Sequence, residues 1–384
     1  MLLINLAAKV TKLGQPNQYL FDEDMHAFTA SLMAKNDPRA YEWWHPALNQ
    51  EQNQYSYRAP AVEWLHPPLA KHFQALSIKL FGNRPFAWRL PSALAGVGVT
   101  FLVISLTLSL TKNYWLSLLA GLLISLEHLT GVQSRIASAD IFLALFVLLT
   151  VWFYWRLREK TTGPRLLLTG LSFGLCLATK WSGLFLLPGL LIFNWFYQPT
   201  KGKLLKFSQR LQKMFLLNFA IITVGLAVYL LSYAPAFLLG KNAADIAELH
   251  AQAWWYQTHT SFTHPYQSRP QDWLIGQKPV WYYYQPTEHR EEKIIAQPTV
   301  WLLILSELSL ILSATKLLKN KNKHQKTASY FNQNLLLVGV IASLWLPWFF
   351  IPRTLFIYQL TPIMPLLIIT LSNLLSQLKI LKFF

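Results

Sequence analysis

Residues Leu90–Thr111 read LPSALAGVGVTFLVISLTLSLT, 22 positions without one charged side chain. As a helix rising 1.5 Å per residue, such a segment reaches about 33 Å, enough to cross a hydrocarbon core of about 30 Å. Met214–Gly240 and Thr354–Leu378 are equally free of charge. Less pure spans surround them at Tyr114–Gly131, Ile136–Trp155, Leu166–Thr179, Trp181–Tyr197, Thr299–Leu318 and Asn334–Ile351. With an apolar stretch at Met1–Val10, they make about ten transmembrane helices. Composition agrees, because 53% hydrophobic, 15% aromatic and 13% charged residues over 384 positions is too apolar for a soluble domain. The expected fold class is an all-α polytopic membrane protein.

A net charge of +17 would suggest a nucleic-acid partner in a soluble protein, but here the basic residues gather in alternate loops. Arg156, Arg158, Lys160 and Arg165 share one connection; Lys201, Lys203, Lys206, Arg210 and Lys213 share a second; Lys316, Lys319, Lys321, Lys323 and Lys326 share a third. The positive-inside rule assigns these three loops to the cytoplasm. No nucleic acid is expected, since no basic stretch carries the interleaved aromatic residues such sites use. One membrane domain over residues 1–384 then divides into a first external loop (14–88), a transmembrane core (89–240), a second external loop (241–297) and C-terminal helices (298–384). Met1–Val10 is too short to span and reads as a first span lacking its beginning. The lone Cys176 excludes an intrachain disulfide.

The two long loops hold most of the acidic residues, foremost the pair Asp22 and Glu23 within Phe21-Asp22-Glu23-Asp24. A carboxylate held at a membrane surface can take a proton from a hydroxyl or hold a metal ion. Further along, Pro68 opens a helical pattern in which Leu69, Phe73, Leu76 and Leu80 share a spacing suited to an interfacial helix. Trp254, Trp255, Trp273, Trp281 and Tyr282-Tyr283-Tyr284 in the second loop fit either an aromatic belt at the lipid boundary or a stacking surface for a sugar or peptide. Arg89, Glu127, Arg135, Asp140 and Lys180 all fall at span ends on the external pole. They are read either as a network of mutual ion pairs or as a pocket for an anionic headgroup.

Seven segments in order along the chain resemble the protein O-mannosyltransferases. They are Phe21-Asp22-Glu23, Leu65-His66-Pro67-Pro68-Leu69-Ala70-Lys71, Trp88-Arg89-Leu90-Pro91-Ser92-Ala93-Leu94, Gln133-Ser134-Arg135-Ile136-Ala137 with Asp140, Ala178-Thr179-Lys180-Trp181-Ser182-Gly183, His264-Pro265-Tyr266 and Arg353-Thr354-Leu355-Phe356-Ile357-Tyr358. The resemblance implies a C-type glycosyltransferase fold of the shorter prokaryotic type. It also implies a polyprenyl-phosphate sugar, usually mannose, as donor, and a Ser or Thr hydroxyl of a translocated protein as acceptor. Catalysis is implied on the extracytoplasmic face, with the acidic pair carried over to Asp22 and Glu23. Gln359 departs from the pattern, standing where the family commonly has histidine.

The chemistry can also be read from residue types. A lipid phosphate leaves as a stable anion and needs positive charge near the departing oxygen; Lys180 and Arg135 are the first candidates, Arg89 and His66 the next. A hydroxyl is a poor nucleophile until a base takes its proton, the role assigned to Asp22 with Glu23 orienting it. Direct attack inverts the anomeric configuration. Asp140, Glu127, His264 and Arg353 are expected as substrate or structural contacts. Asp22, Glu23, Asp24 and His26 offer possible metal ligands, but their spacing matches no metal motif, so neither metal nor cofactor is expected. Expected partners are the lipid donor, the protein acceptor, membrane lipid and the protein translocation machinery. Two other functions fit the sequence: sugar transfer on the same fold to a lipid or cell-wall glycan, and a transporter or scaffold, for which no repeated halves are visible.

Overall fold

A computed structural model describes residues 1–44, 55, 61–199, 207–260, 262–286, 291–319 and 325–378. Lys201, Lys203, Lys206, Lys321 and Lys323 of the basic loops lie outside the described residues. In chain order the helices are α1 (Leu2–Val10), α2 (Glu23–Ala34), α3 (Leu69–Phe81), α4 (Pro85–Thr111), α5 (Tyr114–Leu126), α6 (His128–Gln133), α7 (Asp140–Glu159), α8 (Gly163–Thr179), α9 (Leu186–Phe196), α10 (Phe207–Leu231), α11 (Ala234–Leu238), α12 (Ala243–His259) and α13 (Pro270–Trp273). A short antiparallel hairpin follows, β1 (Val280–Pro286) with β2 (Glu291–Ala296), then α14 (Val300–Lys319), α15 (Gln325–Trp345) and α16 (Met364–Gln377). The all-α expectation is corrected by this hairpin. Its first strand begins Val-Trp-Tyr-Tyr-Tyr, β-branched and aromatic residues that fit a pleated, half-buried surface.

Among the described residues, five helices are long and apolar enough to cross a membrane: Pro85–Thr111, Asp140–Glu159, Phe207–Leu238, Val300–Leu318 and Ala328–Phe350. Tyr114–Leu126, Gly163–Thr179, Trp181–Phe196 and Met364–Gln377 are apolar but shorter. Two expected spans are broken by identifiable residues. Thr354–Leu378 becomes helical only at Met364, because Pro362 and Pro365 lack the N–H groups that an earlier start would need. The apolar residues before it form a short 3-10 turn, Ile357–Leu360, buried in the core. Tyr114–Gly131 is cut at Glu127, whose extended backbone ends α5 and begins α6.

The core is centred on α7 and α16, where Val147, Tyr154, Leu366, Leu367, Ile368 and Ile369 are wholly buried. α8 and α10 approach at Gly174 and Gly225; a Cβ on Gly174 would stand 2.7 Å from the Gly225 carbonyl oxygen. Small residues let membrane helices pack this closely. α3 forms where its pattern predicts, but it buries Ala70, Lys71, Gln74 and Ile78 and exposes Phe73, Leu76 and Leu80. Its polar side faces the protein interior, which brings Lys71 into contact with the loop before it.

Candidate active site

The acidic motif lies where the chain turns into α2. Phe21 has a φ of 47°, left-handed backbone that a bulky residue adopts only when its surroundings hold it. Its ring is held by Tyr282 at 4.9 Å between centroids and by the edges of Phe356 and Tyr358. The next two carboxylates part company. Glu23 is 1% exposed and uses both oxygens: Oε1 accepts from Arg89 Nε at 2.9 Å and from the Ala137 amide at 2.8 Å, Oε2 from Arg89 Nη2 at 2.8 Å and from the Leu20 amide at 3.0 Å. Arg89, 0% exposed, also donates to the carbonyls of Leu13, Pro16 and Gln18 at 2.7–3.2 Å. The pair therefore pins the loop that delivers the motif. Asp22 precedes α2, but its side chain does not cap the helix; it faces a cavity instead.

That cavity holds about 630 Å³ and is polar, lined by Asp22, Asp24, Glu63, Tyr256, His264 and Trp281 among others. A second space of about 670 Å³ is an apolar groove between Leu177, Trp181, Phe185, Leu226, Trp254 and Trp348. Three residues border both: His66, Lys180 and Arg353. Lys180 Nζ donates to Asp140 Oδ1 at 2.8 Å and lies 5.8 Å from the Tyr358 ring centroid. Arg353, in the loop before Ile357–Leu360, has no hydrogen-bond or ion-pair partner among the described residues. A half-buried guanidinium is costly without an anion. Behind Asp22, a 30 Å³ chamber touches Asp140, Lys180, His26, His66 and Ser138, room for about one water.

These surroundings set the protonation of the cavity wall. Asp22 borders the cavity and the small chamber, and burial pushes its carboxyl up to about 7, with the negative charges of Asp24 and Asp140 adding and Lys180 opposing. Burial holds His66 well below the usual histidine range, further lowered by Lys180 and Arg353, so it faces the junction neutral, as a hydrogen-bond donor rather than a cation. Glu63 goes the other way. Burial alone would raise it, but Lys71, His66 and His26 outweigh that and bring it down to about 2.

Of the residues singled out by sequence, Asp22, His66, Lys180, His264 and Arg353 line the polar cavity, with Asp140 in the chamber behind. His264 packs among Phe21, Tyr266 and Phe356. Arg89, Arg135 and Glu127 border neither large space. Arg135 donates to the carbonyls of Ala8, Lys9 and Thr11, capping the end of α1. Glu127 caps α6 through the Leu129 and Thr130 amides and also takes the Thr299 amide at 3.0 Å. Arg89 commits all its donors to protein oxygens, while Arg135, half-buried, spends its two terminal nitrogens on three carbonyls at the end of α1. Sequence reasoning missed Glu63, while Tyr282, read as part of a belt or a stacking surface, lines the cavity. The one available signal for Glu63 was an acid three positions before His66-Pro-Pro.

Residues 65–227 match the family model described as dolichyl-phosphate-mannose-protein mannosyltransferase. Residues 242–383 match that of the C-terminal four-transmembrane region of protein O-mannosyltransferase. The chain belongs to the protein O-mannosyltransferase family. Among curated relatives, the polyprenol-phosphate-mannose--protein mannosyltransferase of Mycolicibacterium smegmatis is 24% identical over 377 residues, covering 82% of this chain and 71% of that one. The protein of the same name from Mycobacterium tuberculosis is 23% identical over 381 residues, covering 82% and 70%. The fold resembles that of the S. cerevisiae protein O-mannosyltransferase Pmt1-Pmt2 complex bound to the sugar donor, with a TM-score of 0.77 at 13% identity over 98% of this chain and 84% of that chain. It also resembles ArnT from Cupriavidus metallidurans bound to undecaprenyl phosphate, with a TM-score of 0.60 at 14% identity over 98% and 59%. This O-mannosyltransferase family member is thus an integral membrane glycosyltransferase of the C-type fold.

Proposed function

We propose that this protein transfers a mannosyl residue from polyprenyl-phosphate mannose to Ser or Thr hydroxyls of proteins, with inversion and with Asp22 as the general base. The observation that carries the reading is the meeting of a polar cavity and an apolar groove at Lys180 and Arg353. The groove suits the polyprenyl chain, and the polar cavity suits the sugar and acceptor. The two cations suit the phosphate between them, with His66 as a neutral donor. The acceptor hydroxyl attacks the anomeric carbon, its proton passes to Asp22, and the bond to the phosphate oxygen breaks to release polyprenyl phosphate. The leaving group departs as an anion, so one base suffices. The charge pattern of the loops supports an extracytoplasmic face for this cavity, where a protein emerging from the translocation machinery would meet it.

Membranes carrying the protein, given polyprenyl-phosphate mannose and a Ser/Thr peptide, are expected to mannosylate the peptide; transfer to a lipid acceptor alone would overturn the reading. Arg353→Gln is expected to lower kcat/KM for the donor about 10- to 100-fold, the worth of a charge-assisted contact, without changing the thermal midpoint. Lys180→Ala should also weaken donor use, with some loss of stability because Asp140 is left unpaired. Unchanged donor dependence in both would remove them from the phosphate site.

The pH dependence follows from Asp22. Only its ionised form accepts a proton, so kcat is expected to rise with pH through about 7 and level off above it. Asp24→Asn removes a charge that raises Asp22, so the midpoint should move to lower pH. A flat profile between pH 5 and 9 would argue for another base.

A further inference from the structure

Glu63 is a carboxylate with one oxygen committed and one free. It lines the polar cavity while only 4% exposed, and Oε2 is paired with Lys71 Nζ. Lys71, itself 2% exposed, also donates to the Glu63 main-chain oxygen and to the His66 carbonyl, both at 2.8 Å. The Glu63 amide donates to Thr29 Oγ1 at 2.7 Å. The side chain is therefore held from behind, in the segment that also carries His66 to the junction of the two spaces. Oε1 has no partner among the described residues. Stability does not account for the charge, since a well-packed apolar pair of the same volume is generally as stable as a buried ion pair, or more so.

A donor phosphate between His66, Lys180 and Arg353 places the attached sugar ring in the polar cavity beside His66, three residues from Glu63. We propose that Glu63 Oε1 accepts a hydrogen bond from a hydroxyl of the transferred sugar and that this contact selects the sugar. The inference rests on the donor placement given above. Two carboxylates on one wall then divide the work: Asp22 titrates where it can take a proton, while Glu63 stays ionised and serves as a permanent acceptor. A site built to hydrogen-bond a hydroxyl discriminates strongly against an analogue that lacks it, because its polar group is left unpaired.

The test measures kcat/KM in membranes for polyprenyl-phosphate mannose and its 2-, 3-, 4- and 6-deoxy analogues, with one Ser/Thr peptide throughout. For the unaltered protein, one deoxy donor is expected to fall about 10- to 100-fold below the parent. In Glu63→Met/Lys71→Met, which replaces the ion pair by apolar side chains of similar length, that ratio is expected to collapse to about 1. The ratio is the readout, because a disturbed His66 would slow every donor equally. If the double variant does not accumulate, Glu63→Gln on the same donors should show a reduced ratio, its amide oxygen being a weaker acceptor. A preserved ratio in the variant that accumulates, or no discrimination by the unaltered protein, overturns the proposal. Asp22→Asn is run alongside. Full transfer by that variant with a collapsed ratio in the double variant would reject Asp22 as base and leave the sugar contact standing.

Discussion

Asp22→Asn is expected to lower kcat for mannosyl transfer to a Ser/Thr peptide by about 10²- to 10⁴-fold, the usual worth of a general base. The amide has nearly the same shape but cannot take the hydroxyl proton, so the donor KM should change little. Stability should move in the opposite direction. A carboxyl raised from 3.8 to about 7 binds its proton more tightly in the folded protein than in the unfolded chain. Its stabilising effect is therefore present below about pH 4 and is lost as pH rises through 7, above which ionisation in place costs on the order of 4 kcal/mol. Asn never ionises. Above pH 7 the variant should melt at a temperature equal to or higher than that of the unaltered protein, as expected of a site that sacrifices stability for reactivity. Equal turnover by the two proteins would remove Asp22 from the base role. A variant that lost activity only by unfolding would show a lower melting temperature instead.

Arg89→Met is expected to cost about 3–5 kcal/mol, because it leaves Glu23 buried without its ion-pair partner. It also frees the carbonyls of Leu13, Pro16 and Gln18, so the loop before Asp22 loses its anchor. The measurement is thermal unfolding of the detergent-solubilised protein together with transfer kinetics. A lower melting temperature with reduced kcat and an unchanged donor KM is the expected pattern. The opposite pattern, a raised donor KM at full stability, would return Arg89 to the phosphate. Glu23→Gln keeps the shape and two acceptor lone pairs, so its cost should be smaller in both measurements.

Membrane character was fully legible in the sequence because the length of an uncharged run measures itself against the bilayer, as Leu90–Thr111 does. A helix start was legible where a residue acts locally, at Pro68 before Leu69. Apolarity alone misled at Thr354–Leu378, since a segment buried in protein is as apolar as one facing lipid. The hairpin was concealed among aromatic residues read either as a lipid-boundary belt or as a stacking surface. For the site, the order of seven motifs pointed to Asp22 and Glu23, but not to how each is used.

Charges at span ends were visible as a set, and their division into working parts was not. Arg89 and Arg135 read as ion-pair partners or phosphate candidates because the carbonyls that occupy them lie 71–127 positions away in sequence. Arg353 read as a minor contact although no carboxylate among the described residues pairs with it. What the sequence by itself determined is the class of protein, the positions of most helices and a family with its acidic motif, since these follow from composition, local propensity and ordered motifs. Only the tertiary structure decided which charges are spent holding the loop and which face the two cavities. Burial and pairing depend on distances between residues far apart in the chain, and in a low-dielectric interior those distances set whether a carboxylate is a pin, a permanent acceptor or a base.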